Sequence, residues 1–212
     1  MKTNKNNSSN GTDKKNIRKA IKKLNEKGVV IFPTDTVYGI GALPYKEPVR
    51  RIYEIKKRDF SKKIIALVDN HDRIRTLIDE KQENIEKITK ILEKYWPGEL
   101  TVIFKANKDF VKHFDKEMET IGIRIPKNET ALEIIRNVGG TVLTTSANIS
   151  GEKGAVKIED INKEILQKVD AVVKDEKKMT GVASTIVKYE NGDFSLLREG
   201  NVSLEEIKRL ID

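Results

Sequence analysis

Cysteine is absent from the 212 residues, so no disulfide, thiolate nucleophile or thiolate metal site is available. Histidine is nearly as scarce. His71 and His113 are the two present, set in the polar stretches DNHDR and VKHFDK, where surface roles are expected rather than a triad or metal ligation. No metal site built from protein side chains is expected. Phe, Tyr and Trp together reach 6%, few for a row of base-stacking platforms. No apolar run approaches the roughly 20 residues of a membrane span, and the opening MKTNKNNSSNGTD lacks the apolar segment of a secretion signal. A soluble, cytoplasmic protein without a membrane partner is expected. The pattern GxxxxGK[ST] is missing too, which excludes a Walker-type phosphate loop, and no long repeat recurs.

Charge is plentiful. Charged residues make up 35%, and Lys plus Arg exceed Asp plus Glu by 41 to 33, for a net charge of +8 and a pI near 9.4. Such a balance favours polyanionic company: nucleic acid, nucleotide or phosphate. The excess is spread over Lys-rich helices, so most of it reads as solvated surface. Lys56-Lys57-Arg58-Asp59-Phe60-Ser61-Lys62-Lys63 is the densest basic run between a helix and a strand. On composition alone it is a solvated loop.

Residues 1–13 are Asn/Ser/Lys-rich without periodicity and are expected to form a tail, with one domain over 14–212. Ile17, Ala20, Ile21 and Leu24 share a helical face, with Gly28 placed to end it. Short apolar runs at 29–32, 64–68, 100–105, 121–125, 141–143 and 171–173 read as buried strands. Helices are expected from Pro48, over 83–95, near 130–138 behind a Thr130-x-x-Glu133 capping box, over 158–169, and after Ser203-x-x-Glu206. Asn191-Gly192 reads as a hairpin turn. Alternating strands and helices plus a hairpin predict an α+β fold, a mixed parallel and antiparallel sheet covered by helices.

Polar clusters sit at the strand ends, where a rigid scaffold delivers side chains to a crevice. Thr34-Asp35-Thr36 follows one apolar run, Ser146-Ala147-Asn148 another, and Thr120 and Arg124 flank a third. Three such clusters predict convergence on one site. In the hairpin, a two-residue loop makes partner numbers sum to 383, so Arg198 should face Thr185 and lie diagonal to Ser184. A guanidinium beside two hydroxyls can grip an anion, or it can be an edge-strand Arg that deters aggregation. The hairpin alone leaves both open.

PTDTVYGIGA (33–42), the Lys-x-Arg of KKRDFSKK, WPGELT (96–101), TIGIRIP (120–126), TSANISG (145–151), STIV (184–187) and LLREG (196–200) occur in an order that resembles the YrdC/TsaC family. These are the threonylcarbamoyl-AMP synthases, and the resemblance covers residues 15–205, in their short single-domain form. It implies a YrdC/RibB-like fold and a reaction in which L-threonine, bicarbonate and ATP give L-threonylcarbamoyl-AMP and pyrophosphate. ATP serves as substrate, with Mg2+ accompanying it. The product would pass to a downstream transferase that makes threonylcarbamoyladenosine at tRNA position 37, with direct tRNA or double-stranded RNA contact as a further implication. Matched position by position, Thr34, Arg124, Thr144 and Ser184 correspond to threonine-binding residues. Arg58, Lys62, Thr120, Ser146, Gly154 and Arg198 correspond to ATP-binding residues. Lys56, Arg58, Ser146 and Asn148 form the sets associated with active synthases. Asp59, Lys63, Asn128 and Ala183 depart from the family pattern, none of them at a matched position. The competing readings are a non-catalytic RNA-binding relative and a paralogue with another carbamoyl- or adenylyl-transfer activity.

Overall fold

The computed structural model describes residues 9–79, 85–175 and 178–210. Among these, nine strands form one sheet: β1 (Val30–Phe32), β2 (Gly39–Ala42), β3 (Ile65–Val68), β4 (Leu100–Lys105), β5 (Thr120–Arg124), β6 (Thr141–Ser146), β7 (Ala171–Val172), β8 (Thr185–Glu190) and β9 (Asp193–Arg198). Their spatial order is β7-β1-β2-β6-β3-β5-β4-β8-β9. The β1–β7, β3–β5 and β4–β8 pairs are parallel and the others antiparallel. This is the mixed sheet expected.

Period two in β1 shows how both faces are covered. Val30 and Phe32 pack with Ile17, Ala20 and Leu24 of the helix Ser9–Asn25 and with Ala131, Ile134 and Ile135 of the helix Glu129–Arg136. Ile31, between them, packs with Ile40, with Ile52 and Ile55 of the helix Lys46–Ile55, and with Ile165 of the helix Lys163–Lys168. A third cluster joins Val102, Phe104, Ile121 and Ile123 to Ile88, Ile91 and Leu92 of the helix Ile85–Tyr95. A strand buried on both faces reads as an uninterrupted apolar run, which is why VVIF and IIALV were legible as strands.

Several local expectations need correction. The first helix begins at Ser9, ahead of its apolar face, so Ser9 to Asp13 belong to it; residues 1–8 of the expected tail lie outside the described residues. So do residues 83 and 84 of the expected helix 83–95. At the first helix's end the left-handed residue is Lys27 (φ 61), not Gly28. Gly28 is needed for space: a Cβ there would sit 2.8 Å from the Lys23 carbonyl oxygen. Thr130 is not the cap of the helix that starts at Glu129. Asn128 is, its side chain accepting the Ala131 N–H at 2.9 Å. The helix expected over 158–169 splits into a 3-10 turn (Ile158–Asp160) and Lys163–Lys168, because Asn162 caps the second piece. β2 was not expected at all. Its glycines carry little strand preference, but a Cβ on Gly41 would lie 2.8 Å from the Phe32 ring and 2.9 Å from Val142. Close approach of strands selects glycine here.

The hairpin follows the 383 register from Glu190↔Asp193 to Val187↔Leu196, then shifts, so that Ile186 pairs with Arg198. Leu197 is the extra residue of a β-bulge. Side chains alternate faces along a strand, so one inserted residue moves Arg198 to the opposite face. Instead of facing the buried Thr185, it joins the face of Ser184 and Ile186.

Candidate active site

That face lines a cavity of about 150 Å³ near the middle of the sheet. Its walls come from the ends of β1, β5 and β6, from the start of β8, and from the bulged end of β9. Thr34, Arg58, Arg124, Thr144, Ser146, Ser184 and Arg198 all line it. Seven of the residues singled out in the sequence therefore meet, although they span positions 34 to 198.

Arg124 ends β5 and is buried, 3% exposed. Its Nε donates to the Gly98 carbonyl at 2.8 Å, one Nη to the Thr36 hydroxyl at 3.1 Å, and the other Nη to Asp35 in a buried ion pair. Burial lowers the Arg124 pKa, and the Asp35 and Glu99 charges oppose that shift. The adjacent hydroxyls form a directed chain. Thr34 donates to the Val37 carbonyl at 2.6 Å, so in the 3.0 Å contact between the two threonines Thr36 is the donor. Thr36 thus accepts from Arg124 and passes its own proton toward Thr34. A buried guanidinium held this firmly is preorganised for a carboxylate.

Arg198 reaches the cavity from the other side. Its Nε and Nη2 both donate to the Ser184 carbonyl, at 3.0 and 2.8 Å, and the Ser184 hydroxyl lies 2.8 Å from that of Thr101. Burial lowers the Arg198 pKa, and the nearby charges of Arg124 and Arg58 lower it further. Three guanidiniums therefore face one another with Asp35 as the ion-pair partner of Arg124. A cavity with unbalanced cations recruits anions.

The Arg58 side chain folds back on its own loop. Nε donates to the Lys62 carbonyl at 2.9 Å and Nη2 to that of Lys63 at 3.1 Å. Asp59 accepts the Ser61 N–H at 2.7 Å and fixes the turn between them. Lys56 is buried beneath the cavity and donates to the carbonyls of Ser146 and Asn148. Burial, then the Arg58 charge, lower its pKa from 10.5 to about 7, with Glu152 opposing. A neutral amine still has two N–H groups, so it can serve both carbonyls. The Asn148 carboxamide donates to Ile149 and Glu152 carbonyls at 2.8 and 2.7 Å, clasping the turn in which Gly151 takes φ 97. Lys56 and Asn148 thus hold the Ser146 strand end in place from behind.

The chain matches the Sua5/YciO/YrdC family model, described as telomere recombination, over residues 22–200. It belongs to that family. A Methanocaldococcus jannaschii relative is 37% identical over 205 residues, 94% of this chain and 93% of the relative. The threonylcarbamoyl-AMP synthase of Bacillus subtilis is 31% identical over 202 residues, 94% of this chain and 58% of that protein. Pyrococcus abyssi Sua5, crystallised with L-threonine, superposes with a TM-score of 0.84 at 28% identity, over 92% of this chain and 57% of that one.

Within the Sua5/YciO/YrdC framework, the four residues matched to threonine binding, Thr34, Arg124, Thr144 and Ser184, share the cavity wall. Of those matched to ATP, Arg58, Ser146 and Arg198 do so. Lys62 is an exposed residue whose carbonyl is held by Arg58. Thr120 pairs with Lys105 at the far end of β5 from Arg124. Gly154 lies behind Val37, where a Cβ would come within 2.9 Å of that side chain. The structure does not bring these three to the cavity. Asp35, Thr36 and Lys63 were missed as individual site residues. Asp35 could have been found as the one acid inside a hydroxyl cluster whose strand end faces an arginine. An Arg198→Ala substitution should weaken ATP binding about ten- to a hundredfold, the equivalent of losing a charge-assisted hydrogen bond of roughly 1.5–3 kcal/mol. Calorimetric titration checks this, and Arg198→Lys should recover only part, because the planar fork is lost.

Proposed function

We propose that this chain is an L-threonylcarbamoyl-AMP synthase, a nucleotidyltransferase using L-threonine, bicarbonate and ATP. The observation that carries the reading is the cavity in which buried Arg124, flanked by hydroxyls, faces two further guanidiniums. The threonine amine and bicarbonate condense to a carbamate with loss of water. A carbamate oxygen then attacks the α-phosphorus as the bond to the β-phosphate oxygen breaks, releasing pyrophosphate. No side-chain nucleophile is needed, so rate comes from positioning and charge stabilisation. In this reading Arg124 grips the threonine carboxylate, and Thr34, Thr144 and Ser184 shape its amino and side-chain surroundings. Arg58 and Arg198 bear on the phosphates, and Ser146, held by Lys56 through its carbonyl, presents its hydroxyl to the nucleotide.

Among the described residues no group of three His, Asp or Glu side chains could hold a metal ion. Mg2+ would therefore enter on the nucleotide's own phosphates, as is usual for this ion. Among the described residues no helix is long and apolar enough to cross a membrane. The product would be consumed by a transferase acting on tRNA, and the basic surface suits company with RNA.

Pyrophosphate release from ATP is expected only when threonine and bicarbonate are both present. Serine should support slower release, since a pocket rejects a missing methyl by only roughly 1–3 kcal/mol. Release that ignores either co-substrate would remove the synthase assignment and favour another adenylyl transfer.

A further inference from the structure

Lys63 is a cation at the cavity that no role above uses. It lines both the central cavity and a neighbouring one of about 260 Å³, walled by Tyr53, Phe60, Phe114 and Met118. Its ammonium lies 2.9 Å from Asp115 Oδ2, with the two side chains 43% and 29% exposed. A pair so open to water is weak and easily exchanged. The backbone of Lys63, in contrast, is fixed, because Arg58 Nη2 donates to its carbonyl. A long flexible stem on a fixed base at the rim can swing between the Asp115 carboxylate and the cavity.

We propose that Lys63 is a further polyphosphate-binding residue, with its ammonium parked on Asp115 in the free protein and transferred to the β- or γ-phosphate oxygens of a bound nucleoside triphosphate. Charge favours the transfer. Asp115 offers one negative charge shared with water, whereas a triphosphate brings several into a site already ringed by Arg58 and Arg198. A compact, mobile ammonium is the right group for the outer phosphates, whose positions change as pyrophosphate forms and leaves. Asp115 then acts only through Lys63, competing with the nucleotide for it. The inference rests on the synthase reading only in requiring a triphosphate in the cavity.

The test is calorimetric titration of ATP, inorganic tripolyphosphate and AMP into the wild type, Lys63→Met, Asp115→Asn and the double variant, at physiological salt. Lys63→Met should weaken ATP and tripolyphosphate binding about tenfold, with AMP and threonine affinities within about twofold of the wild type. Asp115→Asn should tighten ATP binding about threefold, and this gain should vanish in the Lys63→Met background. Wild-type ATP affinity in Lys63→Met overturns the inference. So does an Asp115→Asn gain that persists in the double variant, because Asp115 would then act as a general charge. A wild-type protein that binds neither ATP nor tripolyphosphate overturns the synthase reading, and this inference with it.

Discussion

Arg124→Met is expected to cost the protein on the order of 3–5 kcal/mol of stability and to abolish measurable threonine binding. The stability loss comes from what stays behind. Asp35 is left nearly enclosed, with one carboxylate oxygen deprived of Arg124 and the other already without a hydrogen-bond partner. The Gly98 carbonyl and the Thr36 hydroxyl lose donors as well. Urea denaturation gives the stability term and calorimetry the threonine term. Adding Asp35→Asn to Arg124→Met removes the stranded carboxylate and should return at least about 1 kcal/mol. It should return no threonine affinity. If the second substitution restores no stability, the stranded carboxylate is not the source of the loss.

Lys56→Met should lower turnover at least about a hundredfold, because the strand end carrying Ser146 loses the donor that fixes its carbonyls. The accompanying stability change should depend on pH. The unfolded chain holds the Lys56 proton up to about pH 10.5 and the folded chain only to about 7. Between those values the unfolded state binds more protons, so the stability of the wild type rises with pH across this window. Below about 7 the ammonium is charged in both states and its burial is a standing penalty. The methionine variant has no such group. From about pH 6 to about pH 9 the wild type should therefore gain roughly 2–3 kcal/mol relative to Lys56→Met. A stability difference that stays flat over that range would show that Lys56 remains charged inside the fold.

Burial on both faces made the strands of the sheet readable, and the hydroxyl clusters at their ends pointed to the cavity before its geometry was known. Three kinds of information were hidden. β2 depends on glycines chosen for close approach between strands, a reason that has no local signature. The bulge at Leu197 breaks the register that the two-residue turn sets, and no turn rule contains it. On composition Lys56 belongs to a basic run that reads as a solvated loop, yet it is fully buried, since its partners are carbonyls from a segment ninety residues away. Arg124 was the easier case. An arginine alternating out of a buried strand toward a hydroxyl cluster has few other places to put its charge.

The order of strands also governs how the protein is made. Val30 lies beside Ala171 and Leu100 beside Thr185, so few ladders can form between segments close in the chain. Such topologies close large loops before contacts reward them, and they fold over roughly milliseconds to seconds rather than microseconds. On the ribosome, Arg124 and Asp35 can meet only once β6 emerges to join β2 to β3, β4 stays an open edge until β8 emerges, and Arg198 follows. Anion capture by the full cavity is thus a property of the finished chain alone, and a nascent protein cannot begin adenylation while its sheet is incomplete.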